Sequence, residues 1–405
     1  MNDFLPVEEQ MKILMSGTQF GDETLRKRMT AELRERLSEG RPLRVYLGLD
    51  PTSPDIHLGH TVPLRKLKQF QDLGHEVIFV IGTFTALIGD PSDKDKTRPQ
   101  KTIEEIEKNV RTYTTQAFKI LDPAKTKIRY NGEWLSQMSF ADVIRLAANF
   151  TVQQFLQRDN FAKRHQNGDA IFLHEFFYAL AQGQDAVALE SDIQIGGTDQ
   201  TFNILAGRTL QERNGQKPQI LLTFPMLPGT DGSVKMSKSL GNAIGINTTP
   251  QDMYGKLMSI PDHAMPKYYR LLTRFHLDEV NDLIIKVESG TVHPRDAKMR
   301  LAGEITEIFH GEEGAKAAEE HFIRVFRQKK VPDNMPERMI NEPIGLLNLI
   351  REVGFIKSNK EARRQIKQNA VKLDGETITD PHMTIEPADA PRVLRVGKRK
   401  FLRLL

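Results

Sequence analysis

The chain has 405 residues, of which 39% are apolar and 27% are charged, and such values are ordinary for a folded protein of roughly two or three domains. No run of about 18 apolar residues is present, and the first ten residues lack a basic stretch followed by an apolar one, so we expect neither a membrane span nor a signal peptide. The absence of cysteine excludes disulfides and thiolate zinc sites, and it favours a reducing, cytoplasmic location.

Positive charge is concentrated at the end of the sequence. Residues 351–405 hold 13 Lys and Arg against 7 Asp and Glu, a net charge of +6, which leaves −2 for the other 350 residues because the whole chain carries +4. A basic module on a near-neutral body favours a polyanionic partner for that module. A solvated basic surface without a partner remains the alternative on charge alone.

The first half of the sequence has the pattern of a parallel α/β domain. Residues 44–50 (RVYLGLD) form a short β-rich run, and a helix from about residue 58 to 73 is ended by Gly74. Residues 76–82 (EVIFVIG) are a nearly continuous apolar strand, as in a parallel sheet, so the three segments predict a βαβ unit. Residues 219–224 predict another buried strand.

The remaining segments alternate between helical and small mixed patterns. Residues 101–189 are mainly helical, as helices that cover the sheet plus an insertion, and residues 250–327 predict helices without a convincing strand. Residues 328–343 hold three prolines and predict a linker. Beyond the linker we expect a helix at 346–353 and a second helix opened by a capping box at Ser358. A hairpin turn at Asp374-Gly375 and a final basic strand over 394–405 complete the pattern.

The first chemical motif is His57-Leu58-Gly59-His60, where the first strand gives way to a helix. Histidines three residues apart share one helix face. A helix N-terminus offers unpaired N–H groups and the positive end of a dipole, which suit a phosphate, and a glycine lets a nucleotide approach the backbone closely. Ordinary surface histidines, or a metal site, remain alternatives for this motif alone.

The second motif is Lys235-Met236-Ser237-Lys238-Ser239, which follows two glycines in residues 228–233 (PGTDGS) and is predicted to lie on a mobile loop. Two lysines three residues apart can converge on one polyphosphate, each as a point charge. A lone K-x-x-K is usually a solvated basic loop. The pairing of this motif with HLGH at a strand–helix junction is much more specific.

The two motifs resemble those of class I aminoacyl-tRNA synthetases. Residues 46–55 (YLGLDPTSPD), 89–92 (GDPS) and 194–200 (QIGGTDQ) are similar to segments of bacterial tyrosyl-tRNA synthetases, and the resemblance covers nearly the whole chain. The basic tail resembles the S4 RNA-binding domain common at their C-terminus. Residues 293–298 (HPRDAK) lie in a part that is similar to the family's anticodon-binding region.

The resemblance implies an α/β protein with a Rossmann-like parallel-sheet catalytic domain, an all-α domain and a small α+β S4-like domain. The implied boundaries are 1–248 for the catalytic domain with a helical insertion at about 101–165, 249–330 for the anticodon-binding domain, 331–343 for the linker and 344–405 for the S4-like domain.

The resemblance also implies roles for residues at matching positions. For tyrosine, the implied binding residues are Tyr46 and Asp185 at the phenol, Asp90, Tyr178 and Gln182 at the ammonium group, and Asp50, Gln194 and Gln200 elsewhere in the site. For ATP, they are His57, Gly59, His60, Gly197, Asp199, Lys235, Met236, Ser237, Lys238 and Ser239, with His57, His60, Lys235 and Lys238 as the catalytic residues. For tRNA, they are Arg363, Arg364, Lys367, Arg395, Lys398, Arg399 and Lys400.

The spacing of three of these residues gives an independent argument. Tyr178, Gln182 and Asp185 are spaced i, i+4 and i+7, so they line one helix face within an apolar stretch. Such a polar stripe favours a pocket, although an exposed polar face remains open. Three positions depart from the family pattern: Leu47 replaces a small polar residue, Asp93 a glycine, and Gln184 an aromatic residue.

The implied reaction is the activation of L-tyrosine by ATP, followed by transfer of the tyrosyl group to tRNA(Tyr). Mg²⁺ is expected to arrive with ATP, so no dedicated metal site is predicted. Lys94, Lys96 and Arg98 are candidates to extend the phosphate clamp. The resemblance further implies a homodimer formed through the helical insertion before Asp159.

Three other functions fit parts of the sequence. A tryptophanyl-tRNA synthetase shares the class, but the pair Tyr46 and Asp185 and the S4-like tail argue against it. An RNA-binding protein with a retired catalytic site is disfavoured because both motifs are intact. A nucleotidyltransferase that acts without RNA is disfavoured by the helical domain and the basic tail.

Overall fold

The computed structural model describes residues 4–51, 54–92, 102–327, 335–356, 358–388, 390–397 and 400–405. Contacts between Cα atoms divide the chain into two compact units, Met1–Gly311 and Glu312–Leu405. The helical segment that begins at residue 250 lies in the first unit up to Gly311, and the predicted domain boundaries stay a prediction.

A parallel five-stranded sheet forms the centre of the first unit. Its strands are β1 (Arg44–Leu49), β2 (Glu76–Ile81), β3 (Thr126–Tyr130), β4 (Ile193–Gly197) and β5 (Ile220–Phe224), in the order β3-β2-β1-β4-β5. Every pairing is parallel, with Tyr46 beside Ile78 on one side and Gln194 on the other. The order reverses between β1 and β4, and in such sheets ligands bind at the carboxyl edge of that switch point.

The helices up to the second unit follow in chain order. They are α1 (Val7–Met15), α2 (Glu23–Ser38), α3 (Leu58–Asp72), α4 (Thr85–Ile88), α5 (Ile103–Ala117), α6 (Gly132–Leu135), α7 (Phe140–Ala147), α8 (Val152–Leu156), α9 (Asp159–Asn167), α10 (Leu173–Leu189), α11 (Thr201–Arg213), α12 (Pro250–Met258), α13 (Met265–Leu272), α14 (Leu277–Glu288) and α15 (Pro294–Phe322), which is broken at Gly311 and followed by a π-helical turn over Ile323–Arg327. Short 3₁₀ turns occur at Pro123–Lys125, Thr198–Gln200 and Asp262–Ala264.

The predicted α/β class is confirmed, as are the strands at β1, β2 and β5 and the helix α3. Two strands were missed. β3 lies inside the part predicted as mainly helical and contributes an edge strand, and β4 occupies the centre of the sheet beside β1. The described residues between 250 and 327 form helices and turns, as predicted.

The second unit is a small α+β module. After α15 it holds β6 (Glu337–Arg338), β7 (Ile344–Gly345), α16 (Leu346–Glu352), α17 (Asn359–Lys367), β8 (Val371–Leu373), β9 (Glu376–Thr377), β10 (Thr384–Ile385), β11 (Arg392–Val396) and β12 (Lys400–Leu404). The larger sheet has the order β6-β12-β11-β8-β9 and the smaller pairs β10 with β7. Buried aliphatic residues, such as Leu349, Ile366 and Leu394, form its core.

Local signals in this unit act largely as predicted. Ser358 caps α17 by accepting a hydrogen bond from the N–H of Glu361. Asp374 and Gly375 turn the β8–β9 hairpin with φ values of 51° and 90°, as a two-residue hairpin turn requires. The prediction of a single strand over 394–405 was wrong, because the segment folds into the antiparallel pair β11 and β12. Within the described residues, every helix is too short or too polar to cross a membrane.

Candidate active site

A cavity of about 700 Å³ lies at the carboxyl edge of the parallel sheet. It is lined by the ends of β1, β2 and β4, by the segment after β5, and by α10. Its size is typical of sites for small ligands and cofactors. Every residue predicted to bind ATP or tyrosine lines it except Tyr46.

The imidazole rings of His57 and His60 lie at the start of α3. His57 is the N-cap, and its Nδ1 accepts a hydrogen bond from the N–H of Gly59 at 3.2 Å. The Nδ1 of His60 accepts one from the N–H of His57 at 3.3 Å. Because Nδ1 is an acceptor in both rings, the neutral rings carry their proton on Nε2. Each ring can therefore donate one hydrogen bond to an anion.

Electrostatics keep these two rings neutral. Burial, followed by the positive charges of Lys238 and Lys235, lowers the pKa of His57 to about 4. Burial and the neighbouring His57 hold the pKa of His60 well below its usual value, and the ring centroids are only 3.8 Å apart. A bound triphosphate would reverse part of this shift, because an opposite charge favours the protonated form.

The loop with the second motif reaches the same cavity. The Nζ of Lys235 lies 3.2 Å from a carboxylate oxygen of Asp199, and the Nζ of Lys238 donates to the backbone carbonyl of Asp55 at 2.7 Å. Met236 is 2% exposed, so its side chain anchors the loop between the two lysines. Both lysines line the cavity that His57 and His60 line, so the two motifs converge on one space.

One face of α10 forms the opposite side of the cavity. Tyr178, Gln182 and Asp185 all line it, in keeping with their i, i+4, i+7 spacing. The hydroxyl of Tyr178 donates to Oδ2 of Asp50 at 3.0 Å. Gln182 accepts a hydrogen bond from the amide of Asn203 at 3.1 Å.

Asp185 is the most deeply buried carboxyl group of the cavity, at 3% exposure. Burial raises its pKa to about 8, although hydrogen bonds from Trp134 and Asn131 act in the opposite direction. The indole N–H of Trp134 donates to Oδ1 at 2.9 Å, and the amide of Asn131 donates to Oδ2 at 3.3 Å. Sequence reasoning missed both donors, although Trp134 is the only tryptophan in the chain.

Tyr46 lies behind the cavity rather than on its surface. It occupies the middle of β1, is fully buried, and packs with Ile78, Val80 and Ala186. Burial, with a contribution from the charge of Asp185, raises its pKa well above the usual value. Its hydroxyl group meets no hydrogen-bond partner within the described part of the chain.

A compact network fixes Asp50 at the end of β1. Oδ1 of Asp50 accepts from the hydroxyl of Thr85 at 2.7 Å, and Oδ2 accepts from Tyr178. A Cβ atom at Gly82 would lie 1.9 Å from Oδ1 of Asp50, so the network leaves room only for glycine there. Sequence reasoning missed Thr85 and Gly82, because neither belongs to a recognised motif.

A chain of amides continues the network toward β4. Asp90 accepts hydrogen bonds from the amide of Gln200 at 2.9 Å and from the N–H of Ser92 at 2.8 Å. Asn203 donates to Gln200 at 3.0 Å as well as to Gln182. Gln194 on β4 accepts from Gln219 at 2.7 Å. Asp90, Gln182, Gln194 and Gln200 are therefore held in fixed orientations around the cavity.

The predicted tRNA-contacting residues lie in the second unit. Arg363, Arg364 and Lys367 are exposed on α17. Arg395 lies over the ring of Phe401 and donates to the carbonyl of Gly397 at 3.0 Å, whereas Lys400 is hydrogen-bonded to the carbonyl of Phe355. Five predicted residues lie outside the described residues: Lys94, Lys96, Arg98, Lys398 and Arg399.

Comparisons with known proteins show the family of the chain. Residues 38–327 match the family model described as tRNA synthetases class I (W and Y), and residues 327–404 match the tyrosine–tRNA ligase SYY-like C-terminal domain. A tyrosine–tRNA ligase of Thermotoga maritima is 54% identical over 373 residues, which is 92% of this chain and 93% of the relative. One of Carboxydothermus hydrogenoformans is 51% identical over 410 residues and covers 99% of both chains.

Solved structures support the fold. A C-terminally truncated mitochondrial tyrosyl-tRNA synthetase of Aspergillus nidulans has a TM-score of 0.62 at 23% identity, and covers 79% of this chain and 94% of that one. The tyrosyl-tRNA synthetase of Archaeoglobus fulgidus, solved with L-tyrosine, has a TM-score of 0.62 at 21% identity, and covers 78% of this chain and 100% of that one. On the strength of the family models and the close relatives, this chain belongs to the tyrosine–tRNA ligase family of class I tRNA synthetases.

Proposed function

We propose that this chain is a tyrosine–tRNA ligase that joins tyrosine to tRNA(Tyr) in two steps within the 700 Å³ cavity. The observation that carries the proposal is that one cavity is lined by the two imidazole groups, the two loop lysines and the buried carboxyl of Asp185. Membership of the tyrosine–tRNA ligase family supports the same conclusion.

In the first step, a carboxylate oxygen of tyrosine attacks the α-phosphorus of ATP. The bond between that phosphorus and the oxygen bridging to the β-phosphorus breaks, and pyrophosphate leaves with the electron pair. The attacking group is already ionised at neutral pH, so no general base is needed. In the second step, a terminal ribose hydroxyl of tRNA attacks the acyl carbon. The bond between that carbon and the phosphate oxygen breaks, AMP leaves with the electron pair, and the hydroxyl proton passes to the phosphate oxygen or to water.

The cations and imidazoles act on the leaving pyrophosphate. His57 and His60 donate through Nε2–H, while Lys235 and Lys238 exchange their carboxylate and carbonyl partners for phosphate oxygens. Charge placed in advance where it develops in the transition state is the main source of rate enhancement in such transfers. The nucleotide side of the cavity is also lined by Met236, Ser237, Ser239 and Gly59.

The ribose of the adenylate lies at the end of β4. Asp199 accepts from its hydroxyl groups, after Lys235 has moved to the phosphates. A Cβ atom at Gly197 would lie 2.4 Å from a carboxylate oxygen of Asp199, so glycine keeps this approach open. Gln194 lines the same edge.

Tyrosine lies between α10 and the end of β1. Asp90, Tyr178 and Gln182 receive its ammonium group, with Gln200 holding Asp90 in place. Asp50 supports the junction with the nucleotide through its bond to Tyr178.

The phenol hydroxyl pairs with Asp185, and Tyr46 is placed behind that carboxyl to complete the polar end of the slot. A site that hydrogen-bonds a hydroxyl group rejects an analogue without it, because buried polar groups are left unpaired; tyrosyl-tRNA synthetases are themselves the standard example of this rule. Phenylalanine and tryptophan are therefore poor substrates.

We expect Mg²⁺ to enter the site bound to the phosphates of ATP. Within the described residues, no three carboxylate or imidazole side chains come together as a metal-binding group. Mg²⁺ characteristically binds through substrate phosphates and keeps several waters, and it supplies further charge neutralisation there.

The tRNA is bound through two surfaces. A second cavity of about 620 Å³ shares Asp199 with the first, and Arg158, Lys163, Phe150 and Phe202 line it. Two cations and two aromatic rings suit a single-stranded nucleotide end, through phosphate pairing and base stacking. The exposed arginines and lysine of α17 provide the phosphate contacts of the second unit.

Homodimer formation is supported by exposed apolar side chains in the helical insertion and at the start of α10, just after it. Phe140 is 81% exposed and Leu173 is 69% exposed, and Ile144, Val152 and Phe172 are exposed as well. Apolar side chains clustered in one segment favour a protein–protein interface. The proposed domains are 1–248, 249–330 and 344–405, with residues 331–343 as the linker, of which Glu337–Arg338 pair with β12 in the sheet of the second unit.

The decisive test is ATP–pyrophosphate exchange with each of the twenty amino acids in turn, followed by charging of total tRNA. Exchange that depends on tyrosine, with charging of tRNA(Tyr), is the expected result. Exchange that depends on tryptophan would favour a tryptophanyl-tRNA synthetase. Exchange without any charging would favour a nucleotidyltransferase that acts without RNA, and RNA binding without exchange would favour an RNA-binding protein with a retired catalytic site.

A further inference from the structure

The loop that carries Lys235 and Lys238, residues 227–242, is called here the lysine loop, and it begins as a small antiparallel ladder. The N–H of Gly229 donates to the carbonyl of Val234 at 2.8 Å, and the N–H of Met236 donates to the carbonyl of Leu227 at 2.9 Å. Pro228 and Lys235 form a bridge between these two bonds. The backbone of Lys235 is therefore held in register with the segment after β5.

Asp231 closes the turn of this ladder. Its Oδ1 accepts hydrogen bonds from the N–H groups of Ser233 at 2.9 Å and Val234 at 2.7 Å. Its Oδ2 accepts from the amide of Asn242 at 2.5 Å. That bond from Asn242, the largest cause, and the backbone bonds hold the pKa of Asp231 below its ordinary value, so the carboxylate is ionised at neutral pH.

Asn242 ties the far end of the lysine loop to this turn. Its Oδ1 accepts the N–H of Ser237 at 2.8 Å, at the midpoint between the two lysines. Its Nδ2 faces the carboxylate of Asp231 and the carbonyl of Lys235, the latter at 3.3 Å. The side chain of Asn242 is only 7% exposed, whereas that of its partner Asp231 is exposed.

The chemistry of an amide is required at this position. Oδ1 meets a donor while Nδ2 meets only acceptors, so the orientation of the group is fixed by its neighbours. A carboxylate here could satisfy Ser237 but would face the carboxylate of Asp231 and a backbone carbonyl with like charge. A Cβ atom at Gly229 would lie 2.2 Å from Cγ of Asn242, so the backbone is packed directly against this side chain.

We propose that Asn242, acting with Asp231, is a positioning residue that fixes where Lys235 and Lys238 lie relative to the triphosphate of ATP. Asn242 touches no substrate and acts through the backbone of the lysine loop. Displaced lysines lose part of their stabilisation of the departing pyrophosphate, because such electrostatic effects depend on atoms being placed in advance. The inference rests on the proposed function, since it concerns the activation step.

The first experiment measures adenylate formation by rapid quench in the full-length chain with the variant N242D. Because N242D opposes two carboxylates, the rate is expected to fall by about tenfold or more, while the KM for tyrosine stays within about twofold of the parent. The rate of adenylate formation is expected to fall in N242A as well, although this variant adds no charge. N214D is the matched control, because Asn214 is exposed and bonds only to the end of its own helix.

A double variant that swaps the carboxylate of Asp231 and the amide of Asn242 gives a sharper test. D231N/N242D restores one amide and one carboxylate with the direction of their bond reversed, at the same net charge as the parent. The double variant is expected to recover the rate to within about threefold of the parent, as contacting residues are not additive. Recovery in the double variant would trace the loss in N242D to the contact between positions 231 and 242.

A second readout is independent of catalysis. A loosened lysine loop exposes the peptide bond after Lys238 to trypsin, so N242D without ATP is expected to be cut there faster than the parent or N214D. The inference is overturned if N242D forms adenylate and is cleaved at parental rates, or if tyrosine affinity falls as much as the rate. A parent without tyrosine-dependent exchange would instead contradict the proposed function. The trypsin comparison would still test whether Asn242 and Asp231 hold the lysine loop in place.

Discussion

The two ends of the cavity hold side chains of different chemistry. Neutral imidazoles and lysines gather on the nucleotide side, whereas a protonatable buried carboxyl lies at the far end of the slot. The motifs predicted the first group, and the spacing along α10 predicted that Tyr178, Gln182 and Asp185 share a face. Trp134, Asn131 and Thr85 could not be predicted, because they reach Asp185 and Asp50 from elements that are distant in sequence.

Replacement of Lys238 by alanine tests the nucleotide side. Loss of one preorganised charge at a developing anion costs about 100-fold in rate, so adenylate formation should fall by about that factor while tyrosine affinity changes little. Rapid-quench kinetics at saturating tyrosine measures the effect. K217A is a suitable control, since Lys217 pairs with Glu35 and Glu39 on the surface. Equal rates in K238A and the parent would remove Lys238 from the mechanism.

Replacement of Asp185 by asparagine tests the buried carboxyl. The folded pKa of about 8 lies above the ordinary value of 3.8, so between these pH values the folded chain holds a proton that the unfolded chain has lost. The contribution of Asp185 to the free energy of unfolding of the ligand-free parent therefore falls as pH rises, by up to about 1.4 kcal/mol per pH unit.

D185N lacks this proton, so its Tm relative to the parent should rise between pH 5 and pH 8. Differential scanning calorimetry at both pH values measures the two Tm values. A difference in Tm that stays constant with pH would show that Asp185 does not titrate in this range.

At the scale of elements, apolar patterning predicted the strands with continuous buried runs and missed the others. β3 (TKIRY) is an edge strand with no buried residue and with two basic residues, so it lacks the apolar run of a buried strand. β4 (IQIGG) is buried, but a glutamine and two glycines interrupt its pattern, because those positions serve the cavity. The hairpin of β11 and β12 was predicted as one strand because basic and apolar residues continue through the whole sequence of residues 394–405.

The junction between β2 and α4 should be intolerant of any side chain at position 82. In G82A the new Cβ would displace Asp50 and Thr85, and tyrosine-dependent exchange is expected to fall by about tenfold or more through a higher KM for tyrosine. Steady-state exchange kinetics measures this. G303A is the control, because a Cβ atom there meets nothing within 4 Å and alanine favours a helix. A G82A enzyme with parental KM would argue against the Asp50 network.

At the scale of the whole molecule, the sheet order β3-β2-β1-β4-β5 could not be read from the sequence. Strand order depends on long-range packing of helices on both faces, whereas periodicity reports only local structure. The order nevertheless explains the function, because it brings the end of β1 with Asp50 beside the end of β4 with Asp199. Motifs separated by about 180 residues thereby line one cavity.

The basic helix of the second unit should serve tRNA and not activation. The variant R363E/R364E/K367E is expected to raise the KM for tRNA by about tenfold or more and to weaken the salt dependence of charging, with tyrosine-dependent exchange unchanged. Charging assays at several salt concentrations measure this. R26E/K27E/R28E makes the same charge change on α2 and is the control. An equal rise in the KM for tRNA in both triple variants would show that the effect comes from the overall charge of the chain and not from α17.

The exposed apolar side chains of the insertion and of the start of α10 should control assembly. F140D/L173D places two charges among them and is expected to convert a dimer into a monomer, as measured by sedimentation velocity. M339D changes an equally exposed apolar residue of the second unit and should leave the assembly intact. A parent that sediments as a monomer at all concentrations would contradict the proposed dimer.

The most direct test of a shared cavity is a crystal structure of the chain grown with tyrosine, ATP and Mg²⁺. The account predicts density for tyrosyl-adenylate that runs from Asp185, at the phenol, past Asp50 to the rings of His57 and His60. Lys235 should then have left Asp199 for the nucleotide. A phenol ring bound away from Asp185, or phosphates beyond the reach of both histidines and both lysines, would contradict it.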